Sequence, residues 1–122
     1  MAGKEKSSKR YDLEERTLGF ARDVRAFVKT LPRTVANEED IRQLVKASGS
    51  VGANYIEANE SLSKKDFVLR IKISRKEAKE SRYWLRLLDT RERADMEKVR
   101  GDLIQEATEL MNIFGAIVRK GE

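Results

Sequence analysis

The chain has 122 residues, 39% charged and 39% hydrophobic, with one proline and seven glycines. That balance fits one domain of solvated helices and excludes a disordered or β-rich chain. The formal charge is +5, and with no histidine and no cysteine the chain has no disulfides, thiolate metal sites, Ser-His-Asp triads or Glu-x-x-His di-iron chemistry.

No apolar run approaches the ~20 residues of a membrane span, and the start lacks the hydrophobic core of a secretory signal. The cytoplasm is therefore the expected location, with no membrane partner. Residues 1–11 are polar and basic and are expected to form a disordered tail, followed by a helical domain over residues 12–120. The first predicted helix covers about residues 13–31, with Asp12 as its cap. Its stripe is Leu13, Thr17, Phe20, Val24, Phe27 and Leu31, widened by Ala21 and Val28. Pro32 stops it, because the residue before a proline is held out of helical geometry.

Asn37, followed by Glu38, Glu39 and Asp40, reads as the cap of a second helix over about 38–60. The recurrence of Ile41, Val45, Ser48, Gly52, Tyr55, Asn59 and Leu62 in steps of four and three marks one face. Two glycines inside this helix each cost roughly 1 kcal/mol relative to alanine, so something must offset them. Gly49-Ser50-Val51-Gly52 has the form of a phosphate-cradling GXXG loop, but no strand precedes it. Close helix packing is the better account, with Ser48 and Gly52 on the seam facing the third helix.

Ser61-Leu62-Ser63 is the predicted connector, and Ser63 with Asp66 caps a third helix over about 64–89. Its seam is Phe67, Ile71, Ser74, Ala78, Ser81, Leu85 and Leu88, small or polar in the middle. Tyr83, Trp84 and Leu87 lie beside that seam; aromatics at helical spacing belong to a core or subunit interface more often than to a base-stacking surface. The fourth helix, about 95–119 with Asp95 as a possible cap, carries Val99, Leu103, Ala107, Leu110, Phe114 and Ile117, joined by Ile104, Met111 and Val118. Four such helices with short connectors make an all-α, antiparallel up-down-up-down four-helix bundle. The double apolar columns of the last helix, with Trp84 and Leu87, predict self-association.

Charge is distributed unevenly. Residues 1–10 sum to +3 and residues 64–93 to +6, whereas residues 37–63 sum to −3 and residues 95–122 to −2. A polyanionic partner is the reading this supports, against the plainer one of a solvated face. The candidate nucleic-acid contacts are Lys64, Lys65, Arg70, Lys72, Arg75, Lys79, Arg82 and Arg86, with Lys4, Lys6, Lys9 and Arg10 as a flexible supplement.

Asn54, Glu57 and Glu80 are a candidate structural polar network, since the hairpin register sets Glu57 near Lys76 or Glu80. Metal binding is the rival reading, because Glu57-x-x-Glu60 and Glu77-x-x-Glu80 pair carboxylates as all-α Mg²⁺-dependent nucleotide pyrophosphohydrolases do. Lys76 and Lys79 crowd that arrangement, so no metal and no cofactor are expected.

The run SGSVGANYIEA from Ser48, then SKKDF from Ser63 and KEAKESRYWLRLL from Lys76, resembles the four-helix-bundle proteins encoded in intervening sequences of bacterial 23S ribosomal RNA genes. The resemblance covers about residues 12–118; Ala53, Asn54, Glu57, Ala58 and Glu80 are its most specific points. It implies a homopentameric barrel with a basic surface, associated with RNA. The accessory variability determinants of diversity-generating retroelements are similar in fold and are thought to hold nucleic acid near a reverse transcriptase. The combined expectation is a non-enzymatic homo-oligomer binding RNA or DNA by charge, with a protein-interaction scaffold as a further alternative.

Overall fold

A computed structural model describes the backbone of residues 2–121 and side-chain surroundings from residue 13 onward. Four helices follow one another: α1 (Ala2–Val28), α2 (Val35–Asn59), α3 (Lys64–Leu87) and α4 (Ala94–Gly121). The helical backbone of α1 thus includes residues 2–11, set apart above as a tail, and the side chains of Lys4, Lys6, Lys9, Arg10 and Asp12 lie outside the described residues.

Inter-helix contacts run in opposite directions along each neighbouring pair. On α1 and α2, Asn59 donates to Glu14 at 3.1 Å, Gly52 abuts Thr17, and Gly49 abuts Arg25. On α2 and α3, Arg70 donates to Asn54 at 3.1 Å and Ser74 to the Val51 carbonyl at 2.9 Å. On α3 and α4, Val68 meets Gly121, Arg75 lies by Gly115, and Arg82 donates to Thr108. Each helix is therefore antiparallel to the next. Because α1 also packs on α4, the four close an up-down-up-down bundle, with the most extensive packing between α2 and α3.

The core stripes of α1 and α3 are those the spacing predicts: Phe20, Val24, Phe27 and Leu31, then Ile71, Ser74, Ala78, Ser81, Leu85 and Leu88 are buried. On α4 the buried set is Met96, Leu103, Ala107, Leu110, Phe114, Gly115 and Val118, while Val99 is exposed. The stripe on α2 differs from expectation. Leu44, Ala47, Ser48, Val51, Tyr55 and Ala58 are buried, whereas Gly52 and Asn59 turn toward α1. Leu62, placed on the seam by its spacing, is 100% exposed in the connector. The helix has two neighbours, and a four-three repeat describes the face toward either.

Ser63 caps α3 as predicted, its hydroxyl accepting from the Asp66 amide at 3.1 Å. The cap of α2 is Thr34, not Asn37, and Asp95 lies within the first turn of α4 rather than capping it. Asn37 is buried, and its amide joins two connectors. It donates to the carbonyls of Pro32 at 3.0 Å and Asp89 at 2.9 Å and accepts from the Asp89 N–H at 2.9 Å. The α3–α4 connector needs this hold, because Arg91 (φ 55°) and Glu92 (φ 59°) are both left-handed, a conformation costing about 1 kcal/mol or more for each non-glycine residue. Across the bundle, Arg16 makes a bidentate pair with Glu106 at 2.7 Å and a further contact with Glu109 at 2.8 Å. These carboxylates hold the guanidinium still more firmly protonated than usual.

Removing the Asn37 amide strands buried donors and acceptors, so Asn37→Ala is expected to lower unfolding free energy by roughly 2–4 kcal/mol in urea titration. Glycine substitutions are expected to split by site. A Cβ at Gly52 would lie 2.7 Å from the Thr17 hydroxyl, so Gly52→Ala destabilises by roughly 1–3 kcal/mol. Gly101 is exposed with nothing within 4 Å of an added Cβ, and Gly101→Ala stabilises by up to about 1 kcal/mol.

Candidate nucleic-acid interface

The face opposite the core of α3 follows from its buried stripe. With Ile71, Ala78 and Leu85 turned inward, residues three and four apart on the far side form continuous rows. The outermost row is Lys65, Leu69, Lys72, Lys76, Lys79, Tyr83 and Arg86, all exposed. A second row, Val68, Arg75 and Arg82 at seven-residue intervals, borders α4. Over 24 residues the helix presents a cationic track about 36 Å long.

On α4, the described residues along the border of that track carry little negative charge. Gly115 is buried, and the guanidinium groups of Arg75 and Arg119 converge above it, 3.7 Å and 3.5 Å from where its Cβ would be. Thr108 takes the Arg82 hydrogen bond further along. The acids of α4 face elsewhere: Glu106 and Glu109 pair with Arg16 of α1, and Asp102 with Lys98 at 3.0 Å. Glu97 is engaged by Thr90 and Arg100, which lowers its carboxyl below the usual range. Among the described residues, no carboxylate lies within salt-bridge distance of Arg75, Lys79, Arg82, Arg86 or Arg119.

The structure therefore brings Lys65, Lys72, Arg75, Lys79, Arg82 and Arg86 together on one flank. Lys64 lies at the amino end of the same helix, whereas Arg70 turns to the α2 side, where it binds Asn54. Three members of the flank were missed as candidates. Lys76, named above as crowding the carboxylate pairs, is not among the candidates. Arg119 and Gly115 lie on a helix whose net charge is negative, and only their i, i+4 spacing could have linked them.

The candidate polar network is not assembled. Asn54 binds Arg70 and the Ser50 carbonyl, Glu57 is exposed, and the observed register puts Glu57 level with Phe67 and Val68 rather than Lys76 or Glu80. The same register separates Glu57 and Glu60 from Glu77 and Glu80. No group of three or more acidic side chains able to hold a metal ion occurs among the described residues. Burial, and next the neighbouring Glu80, raise the Glu77 carboxyl above its ordinary value, against Lys76 and Lys46. No helix among the described residues is long and apolar enough to cross a membrane.

An all-α four-helix bundle with a row of cations along the outer face of α3 defines the class. The model of the 23S rRNA-intervening sequence protein family matches residues 9–116, and the chain belongs to that family. It is similar to the crystal structure of a protein of unknown function from the S23 ribosomal protein family of Bacteroides thetaiotaomicron. The two share 27% identity at a TM-score of 0.72, over 87% of this chain and 97% of the other. No curated protein matches the chain.

A carboxyl with a raised folded-state value holds its proton more tightly folded than unfolded, so stability is lost as pH rises through that window. Glu77→Gln is therefore expected to raise the melting temperature at neutral pH, with the gain disappearing below the ordinary carboxylate range. Melting curves at pH 7 and about pH 3 check this; an equal effect at both would contradict it.

Proposed function

We propose that this protein is a non-enzymatic, homo-oligomeric bundle of the cytoplasm that binds RNA or DNA through the α3 flank. The observation that supports it most is the segregation of charge. The acids Glu106, Glu109, Asp102 and Glu97 are engaged by cations of their own, while the guanidinium groups of Arg75 and Arg119 converge with no carboxylate of the described residues in salt-bridge distance. Like charges held side by side repel, and an external polyanion relieves this through neutralisation and counterion release. Phosphate contact of this kind positions a nucleic acid without reading its sequence.

Self-association is supported by apolar surface away from that flank. Leu18 and Ile56 are exposed in the groove between α1 and α2, and Val99 in the trench between α1 and α4. Family resemblance favours a pentamer, and light scattering on the purified chain measures it.

Filter binding of a labelled RNA of mixed sequence tests the proposal. Retention is expected to fall by roughly 10³-fold or more between about 50 mM and about 200 mM salt, with weak dependence on sequence. The triple variant Arg75→Glu, Arg82→Glu, Arg86→Glu is expected to abolish retention while keeping the melting temperature within a few degrees. No retention of the unmodified chain at low salt would end the proposal.

A further inference from the structure

We propose that Tyr83 is a base-stacking platform set into the cationic flank, so that this flank takes single-stranded rather than duplex nucleic acid; the inference rests on the nucleic-acid reading above. Tyr83 continues the row of Lys72, Lys76 and Lys79 by the same helical steps and is followed one turn later by Arg86. Its side chain is 57% exposed, the most open aromatic ring among the described residues. It is not loose on the surface: the ring stands edge-on to Trp84, with centroids 5.1 Å apart and planes at 79°. Trp84 is half-buried and packs on the core, so it props the tyrosine from the α2 side and leaves it open to solvent.

Lys79 and Arg86 flank the ring about 10 Å apart along the helix axis. A phosphate backbone following these cations passes Tyr83, and a base turned inward from it meets the ring. An aromatic on the crest of a convex helix can stack only on a base whose face is free. In an A-form duplex the bases stack on one another, and the deep, narrow major groove admits no such side chain. An unpaired strand offers a face at every nucleotide, so the contact tolerates any sequence, in keeping with charge-led binding. The surroundings also favour a polyanion over a second protein surface. Glu80 one turn back and the exposed Leu87 one turn on adjoin Tyr83, but Lys76, Lys79, Arg82 and Arg86 all lie within two turns of it and outnumber them.

The chain has one tryptophan, which makes its fluorescence a direct reporter of the ring beside it. The full chain is titrated with oligouridylate of about 12 nucleotides and with an RNA duplex of equal phosphate content at low salt. The single strand is expected to change Trp84 emission and to bind roughly tenfold more tightly than the duplex. Tyr83→Leu is expected to remove that advantage and leave duplex affinity unchanged, while Tyr83→Phe, which keeps the ring, retains it. Equal affinity for strand and duplex, or no loss in Tyr83→Leu while binding stays salt-dependent, overturns the stacking platform and leaves the charge reading in place. Absence of binding by either nucleic acid overturns the charge reading itself. Emission that changes on diluting the protein alone and ignores the oligonucleotide assigns Tyr83 to an interface between copies and overturns the inference.

Discussion

The bundle depends on the close contact between α2 and α3, where the buried hydroxyl of Ser74 donates to the Val51 carbonyl at 2.9 Å. A side chain reaches a neighbouring helix's backbone in this way only when the two backbones lie near each other, and the small residues Ala47, Ser48, Ser74, Ala78 and Ser81 permit it. The hydrogen bond costs little where both groups are satisfied and much where either is stranded, so it fixes sliding as well as distance. Once α3 is locked in rotation, every other residue on it is assigned a side. Ile71, Ala78 and Leu85 enter the core, and Lys72, Lys79 and Arg86 necessarily leave it.

That rotation turns a basic composition into a surface. Paired with the acids of a neighbouring helix, Arg75 and Arg82 would have spent the cationic excess internally. Instead Glu106 and Glu109 of α4 are drawn to Arg16 of α1, and α3 meets α4 at Gly115 and Thr108, where no carboxylate of the described residues intervenes. At the other end of the bundle, Asn37 ties the two connectors together and holds the strained turn at Arg91 and Glu92.

Much of this was legible from residue spacing, and where it was not, the reason is physical. The stripes on α1 and α3 were readable because each helix has one apolar face that dominates the others. On α2, two faces obey the same repeat, and periodicity alone cannot choose between Leu44-Val51-Ala58 and Val45-Gly52-Asn59. The glycines of α2 do mark close packing, but against Thr17 and Arg25 of α1. Asn37 looked like a cap because three acids follow it, yet a side chain with two donors and an acceptor was committed to contacts more than fifty residues away. On the candidate site, the cations of α3 were visible as composition, and their rows as spacing. Arg119 was not, since its role depends on meeting Arg75 across the helix pair.

The most direct test of the account is amide NMR mapping of the labelled protein as a short single-stranded RNA is added at low salt. Perturbation concentrated on α3 from Lys72 to Leu87, with a second patch at Gly115 to Arg119, is the predicted result. Shifts confined to the α1–α2 groove around Arg25 and Lys46, with α3 silent, would contradict it.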